Sequence, residues 1–205
     1  MNTIKTMSVA AALAASLGLA GCAAGSTASP MPMDHGSSGP MTSTMPSAMP
    51  GASADHNQAD TMFAQMMIPH HAQAVEMSGI ILAKPDMPAE ITALATKIKD
   101  AQAPEIEQMT GWLQGWNAPT TGDHSGHGMS GMVDDAGIDR LKAATGTEAA
   151  RLFLEQMIGH HEGAIDMAQQ EISAGKFPDA LQLGHAIIEA QQAEITEMKQ
   201  LLAGL

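Results

Sequence analysis

The chain has 205 residues, 9 Lys+Arg against 22 Asp+Glu and a formal net charge of −13, with 18 Met, 9 His, one Cys and no Tyr. The length allows one domain with tails or two small ones, and the acidity argues against nucleic acid, whose binding requires Lys and Arg to displace counterions from phosphates. A single Cys excludes a disulfide scaffold or a thiolate zinc finger within one chain, which leaves the excess of Met and His as the feature a function has to explain.

Residues 1–21 read as an address rather than as fold. Lys5 supplies a positive start, and Met7 to Ala20 is an Ala/Leu-rich run too short to span a bilayer comfortably as a permanent helix. The run ends in Leu19-Ala20-Gly21-Cys22, which resembles the lipobox of bacterial lipoproteins. That resemblance implies cleavage before Cys22 and lipidation of its thiol. The processed chain then carries 8 Lys+Arg against 22 Asp+Glu, a net charge of −14, and no free thiol, which suits an oxidising compartment of the cell envelope. It is expected to be anchored to a membrane without spanning it.

Residues 22–58 are rich in Ser, Pro, Gly, Ala and Met and show no apolar period, so they read as a disordered tether. Met31, Met33, His35, Met41, Met45, Met49 and His56 lie in it, and a second stretch of this kind runs from Asp123 to Met132. One reading of both is flexibility alone. The other is auxiliary metal capture on mobile backbone by Met31, Met33, His35, His124, His127, Met129 and Met132.

Between and after these stretches the chain repeats itself. Phe63-x-x-x-Met67-Ile68-Pro69-His70-His71-x-x-Ala74-Val75-Glu76-Met77 returns 90 residues later as Phe153-x-x-x-Met157-Ile158-Gly159-His160-His161-x-x-Ala164-Ile165-Asp166-Met167. A second block, Ala101-Gln102-x-x-Glu105-Ile106-x-x-Met109, returns at an offset of 89 as Ala190-Gln191-x-x-Glu194-Ile195-x-x-Met198. Two blocks in the same order point to duplication, and two copies are too few for a solenoid. Phe63, Met67, His70, Ala74, Met77 and Ile81 share one helix face, and Ile91, Ala95, Ile98, Gln102, Glu105, Met109, Leu113 and Trp116 share another. Breaks at residues 84–88 and 175–178 make each copy a helical hairpin, over 59–116 and 147–205. Two hairpins with one apolar stripe per helix bury themselves best as an all-α four-helix bundle. The linker 117–146 carries a short helical piece over Asp139 to Ala144, and Thr147 is expected to cap the third long helix.

The chemistry concentrates at the His-His pairs. Neighbouring helix residues lie about 100° apart, so His70 falls within the stripe of Met67 and Met77 while His71 points to its flank beside Ile68 and Val75. His160 and His161 repeat this. Glu105 and Glu194 lie in inward stripes, where an unpaired carboxylate is expensive, so each should meet an imidazole, a metal or both. Metal ligation is expected from His70, His71, Met67, Met77, Glu105 and Met109, and in the second copy from His160, His161, Met157, Met167, Glu194 and Met198. Thioether and imidazole without thiolate favour Cu(I), and silver by similarity, over magnesium, calcium or zinc. Pro69 and Gly159, equivalent and both poor helix residues, are expected to bend or loosen the helix beside each pair.

Phe153 to Ala168, with Met66-Met67-Ile68-Pro69-His70-His71-Ala72-Gln73-Ala74 as the first copy, resembles the signature of the domain-of-unknown-function family 305 over about residues 59–205. The resemblance implies a ferritin-like four-helix bundle exported to the cell envelope, with copper binding and copper tolerance attributed to some members. It carries over to His70, His71, Met77, His160, His161 and Met167. Met66 has Gln156 as its counterpart, so a site using Met66 is asymmetric.

The sequence thus reads as an envelope lipoprotein that binds copper for buffering, tolerance or delivery to another copper-handling envelope protein, and not as an enzyme. A ferritin-like di-metal oxidoreductase is disfavoured because no Glu-x-x-His occurs. The remaining alternative is a metal-free structural or interaction module whose His–Glu pairs are core polar contacts.

Overall fold

The computed structural model describes residues 55–120 and 129–205. The described chain forms five helices: α1, Gln58–Leu82; α2, Ala89–Gly115; α3, Asp135–Ala143; α4, Gly146–Ala174; and α5, Pro178–Gly204. The expected all-α bundle is present, with four long helices and one short one. The tether positions Met31, Met33 and His35, the linker positions His124 and His127, and Cys22 lie outside the described residues.

Each boundary has a local cause. At the start of α1 the Asn57 side chain accepts from the amides of Ala59 and Asp60 while Asp60 accepts from the amide of Asn57, a reciprocal capping box. Asp134 caps α3 by accepting from the Gly137 amide at 2.7 Å, so this helix begins four residues before the expected Asp139. The N-cap of α4 is Thr145 rather than Thr147, and its side chain makes no capping bond. There the turn is made instead by Gly146 at φ +56, a left-handed conformation that glycine adopts without a Cβ clash. Pro178 opens α5, where a missing amide is harmless. Pro69 and Gly159 both sit inside continuous helices; neither ends nor restarts one.

α2 folds back on α1 and α5 on α4, and the two hairpins join mainly through α1 and α4. The apolar core has two parts. One holds Met77, Ile81, Phe153, Met157 and Met198; the other holds Phe63, Met67, Met109, Met167 and Leu183. Met67 therefore shares a cluster with Met167, and Met77 with Met157. Residues related by the duplication exchange places, so α1 and α4 run antiparallel about an approximate twofold between the His pairs. Fully burying side chains of this size stabilises by about 1.5–3 kcal/mol each. Among the described residues no helix is long and apolar enough to cross a membrane.

A carboxyl pair fastens one end of the bundle. Buried Asp60 accepts from the amides of Lys176 and Phe177, both at 2.8 Å, and so ties the start of α1 to the α4–α5 turn. Burial opposes its charge, but the amides of Phe177, Asn57 and Lys176 together hold its carboxyl below the usual range. Glu171 beside it is pushed up to about 8, by burial first and by Asp60 second. Gly175 suits this turn, because a Cβ would lie 2.7 Å from the Glu171 backbone carbonyl oxygen.

The folded chain thus holds a proton on Glu171 that the unfolded chain releases above its ordinary value of 4.5. This contribution is complete below 4.5 and is lost as pH rises to about 8, with a slope of at most about 1.4 kcal/mol per pH unit for one proton. Glu171→Gln, which keeps a donor in place, should remove that slope. Urea unfolding of both chains across this window checks it, and an equally steep decline in the variant would place the titration elsewhere.

Candidate metal centre

The four imidazoles of the two His-His pairs meet where α1 and α4 cross, and all are buried. Adjacent helical positions can both be buried here because each helix is covered from two directions. His70 turns toward α4, where its ring centroid lies 3.7 Å from that of His160 at an interplanar angle of 36°. His71 turns toward α2, where Nε2 is 2.7 Å from Glu105 Oε2, and His161 turns toward α5, where Nε2 is 2.8 Å from Glu194 Oε2. The flank assigned to His71 from the helical wheel is therefore interior, roofed by the neighbouring helix. Glu194 is also 3.7 Å from Lys97 Nζ on α2, whereas the residue equivalent to Lys97 in the second copy is Ala186.

A carboxylate only accepts hydrogen bonds, so His71 and His161 donate through Nε2. In a neutral ring this leaves the lone pair at Nδ1, and both Nδ1 atoms are buried without a partner. His70 donates through Nε2 to the Ser130 carbonyl at 3.1 Å, and its Nδ1 is likewise unpartnered. Neither nitrogen of His160 has a partner. Burial pulls the pKa of His70 down to about 3 and that of His160 to about 2, with the neighbouring imidazoles adding to the effect. An imidazole oriented by a carboxylate or carbonyl on one nitrogen, with the other bare, is the arrangement in which histidine binds metals.

Ser130 reaches His70 through a turn that the sequence does not announce. Met129 to Met132 form a β-turn closed by the Met132 amide on the Met129 carbonyl, with Gly131 at φ +81 where a type II turn needs glycine. The turn presses onto α4: a Cβ on Gly131 would be 2.6 Å from the Gly159 carbonyl, and one on Gly163 would be 2.0 Å from the Ser130 carbonyl. Gln73 of α1, the counterpart of Gly163, holds the next residues through two bonds of 2.8 Å to the Val133 backbone. Gly163 was the available sequence signal, since a glycine inside a helix lets another backbone approach closely, whereas a Cβ on Gly159 would meet nothing within 4 Å. Ser130 and Gln73 carried no signal.

The expected ligands are only partly gathered. The histidines and glutamates form the central layer, and Gln102 and Gln191 are buried with it or near it on α2 and α5, each with its amide oxygen unpartnered. The methionines divide, with Met67, Met109 and Met167 in one cluster and Met77, Met157 and Met198 in the other. Met129 and Met132 are half-buried at the ends of the turn. Among the described residues, no three His, Cys, Asp or Glu side chains are grouped so as to hold a metal.

The model of the DUF305 family, a domain of unknown function, matches residues 60–202. No curated protein matches the chain. Among solved structures, a DUF305 protein of Streptomyces coelicolor is 36% identical with a TM-score of 0.68, covering 71% of this chain and 91% of that one. A DUF305 fragment from Deinococcus radiodurans is 29% identical with a TM-score of 0.66, covering 73% and 98%. CopM in its Cu(I)-bound form is 33% identical with a TM-score of 0.60, covering 71% and 96%, and CopM is also known in Cu(II)-bound and silver-bound forms.

Two outcomes follow from the site. His70 and His160 stay neutral in the folded chain but take up protons on unfolding below 6.5, so their stabilisation is full above 6.5 and is lost as pH falls toward about 3 and about 2. In NMR titrations their ring signals should not move between about pH 8 and pH 5, and a midpoint near 6.5 for either would contradict their burial. Gly163→Ala should displace the turn without lowering helix content. Amide exchange at Met132 should quicken, and an unchanged rate would show that the turn does not depend on this seat.

Proposed function

The chain belongs to the DUF305 family, and from that premise we propose that it is an extracytoplasmic copper-binding protein that buffers or hands on the metal, with Cu(I) favoured. The observation that carries this reading is the layer of four buried imidazoles, three of them held at Nε2 by Ser130, Glu105 and Glu194, while the Nδ1 atoms of all four lack partners. A buried polar atom left unpaired costs about 1–3 kcal/mol, so several in one layer point to a ligand. The copper- and silver-bound forms of CopM, similar over 71% of this chain, support copper as that ligand. Binding without catalysis fits the site, because it presents ligands without the Glu-x-x-His pattern of di-metal oxidases. Lipid anchoring through Cys22 places the protein at the outer side of a membrane, in reach of a copper-handling envelope partner.

A second reading has its own support. His71–Glu105 and His161–Glu194 are complete hydrogen-bonded pairs, and the described residues hold no three-ligand group of His, Cys, Asp or Glu. These are the features of a metal-free interaction module with a polar core.

Anaerobic titration of the full chain with Cu(I) against a chromogenic chelator separates the two, run beside a variant with His70, His71, His160 and His161 all changed to Ala. Binding by the wild type that weakens at least tenfold in a still-helical variant is the expected result. Failure of the wild type to compete for Cu(I) would replace copper handling with the interaction module.

A further inference from the structure

The duplication creates two equivalent positions along the seam of α1 and α4, one toward each end, and the described residues fill only one. At the end where α4 begins, α3 occupies the position. Ile138 and Leu141 are buried in the cluster of Met77 and Met157, the Gly137 carbonyl accepts from Gln156 at 3.0 Å, and Lys142 pairs with Glu76 at 3.1 Å. Lys84 closes the fit by donating to the carbonyls of Lys142 and Ala144 at 2.8 and 2.6 Å.

Ninety residues away in register, Gln156 becomes Met66, Glu76 becomes Asp166 and Lys84 becomes Ala174. These three line an open groove of about 820 Å³ at the other end of the seam. Its lining also contains Met62, Met167 and Glu171. The counterparts of Met62 and Glu171 are Leu152 and Ile81, both apolar and both packed at the closed end. Where one copy has hydrocarbon covered by a helix, the other has thioethers and a carboxyl beside open space.

Two features distinguish this groove from a vacant apolar surface. Met62 is 46% exposed, whereas Met67 and Met77 in the core stripe of α1 are buried. Glu171 is only 2% exposed, and the group beside its carboxyl is that of Asp60, which is no counter-ion. Ser130 lies in the same lining, and its carbonyl accepts from His70, so the groove adjoins the central imidazole layer through a single backbone group.

We propose that this groove is a separate soft-cation site, in which the thioethers of Met62, Met66 and Met167 take a monovalent ion such as Cu(I) or Ag(I) while Glu171 gives up its proton to solvent and supplies the opposing charge. Thioether ligands select soft monovalent ions, and a nearby carboxyl offsets the cost of removing the cation from water. The site is asymmetric by construction, because the equivalent position is plugged by α3. It gives the copper-binding reading, on which this inference rests, a solvent-facing entry next to the buried histidines.

The test uses Ag(I) as a diamagnetic probe on the full chain carrying methionine labelled with carbon-13 at the methyl group. Saturation with Ag(I) should shift the methyl signals of Met62, Met66 and Met167. A variant with Met62→Leu, Met66→Leu and Met167→Leu together should bind one equivalent fewer, whereas Met87→Leu, in the α1–α2 loop, should keep the wild-type stoichiometry. Should the triple variant lose helicity, the wild-type methyl spectrum decides alone. Ag(I) binding that leaves those three methyl signals in place would overturn the groove site while leaving copper handling intact. No uptake of Ag(I) or Cu(I) by the wild type would remove both.

Discussion

The structure depends on burying four imidazoles where two helices cross. An imidazole removed from water brings two nitrogens that need partners, and the interior around α1 and α4 is otherwise hydrocarbon. The fold answers for three of the rings from outside the crossing: α2 supplies Glu105, α5 supplies Glu194, and the linker turn supplies the Ser130 carbonyl. These contacts decide the rotation of α2 and α5 about their axes and draw the linker across the seam. What they leave open, chiefly the Nδ1 atoms and all of His160, is the chemical potential of the protein.

Duplication explains the economy of this arrangement, and its breakdown explains the differences between the two ends. A twofold relation lets one hairpin sequence supply both halves of the polar layer and both halves of the core. The linker has no second copy, so it has to break the symmetry. Residues 129–144 place a turn against Gly163 and a helix over the Met77–Met157 end, and they leave the Met62–Met66 end uncovered. The side chains followed: Gln73 where the linker is held, Gly163 where it must approach, methionine where none of the described residues covers the seam. The Asp60–Glu171 pair belongs to the same asymmetry, since it fastens the uncovered end to the α4–α5 turn through backbone amides.

Helix existence, hairpin pairing and the presence of His and Glu in the interior were legible in the sequence, because the 3.6-residue period reports which face of a helix is buried and the internal repeat reports which helices are equivalent. Helix starts were less so. Thr147 resembles a cap, yet Gly146 turns the chain one residue earlier by backbone conformation, which side-chain chemistry does not reveal.

Periodicity assigns a residue to a face but does not say which neighbour lies opposite. Met67 and Met77 belong to one stripe of one helix, yet the antiparallel crossing of α1 and α4 sends them to different clusters. His71 is on the flank of that stripe, and only the roof formed by α2 makes the flank interior. The sequence by itself determined an all-α duplicated bundle with imidazoles, carboxyls and thioethers turned inward, since composition and period suffice for that. Tertiary structure alone decided which of these groups meet, because contact depends on helix direction and on a linker whose path no local pattern encodes.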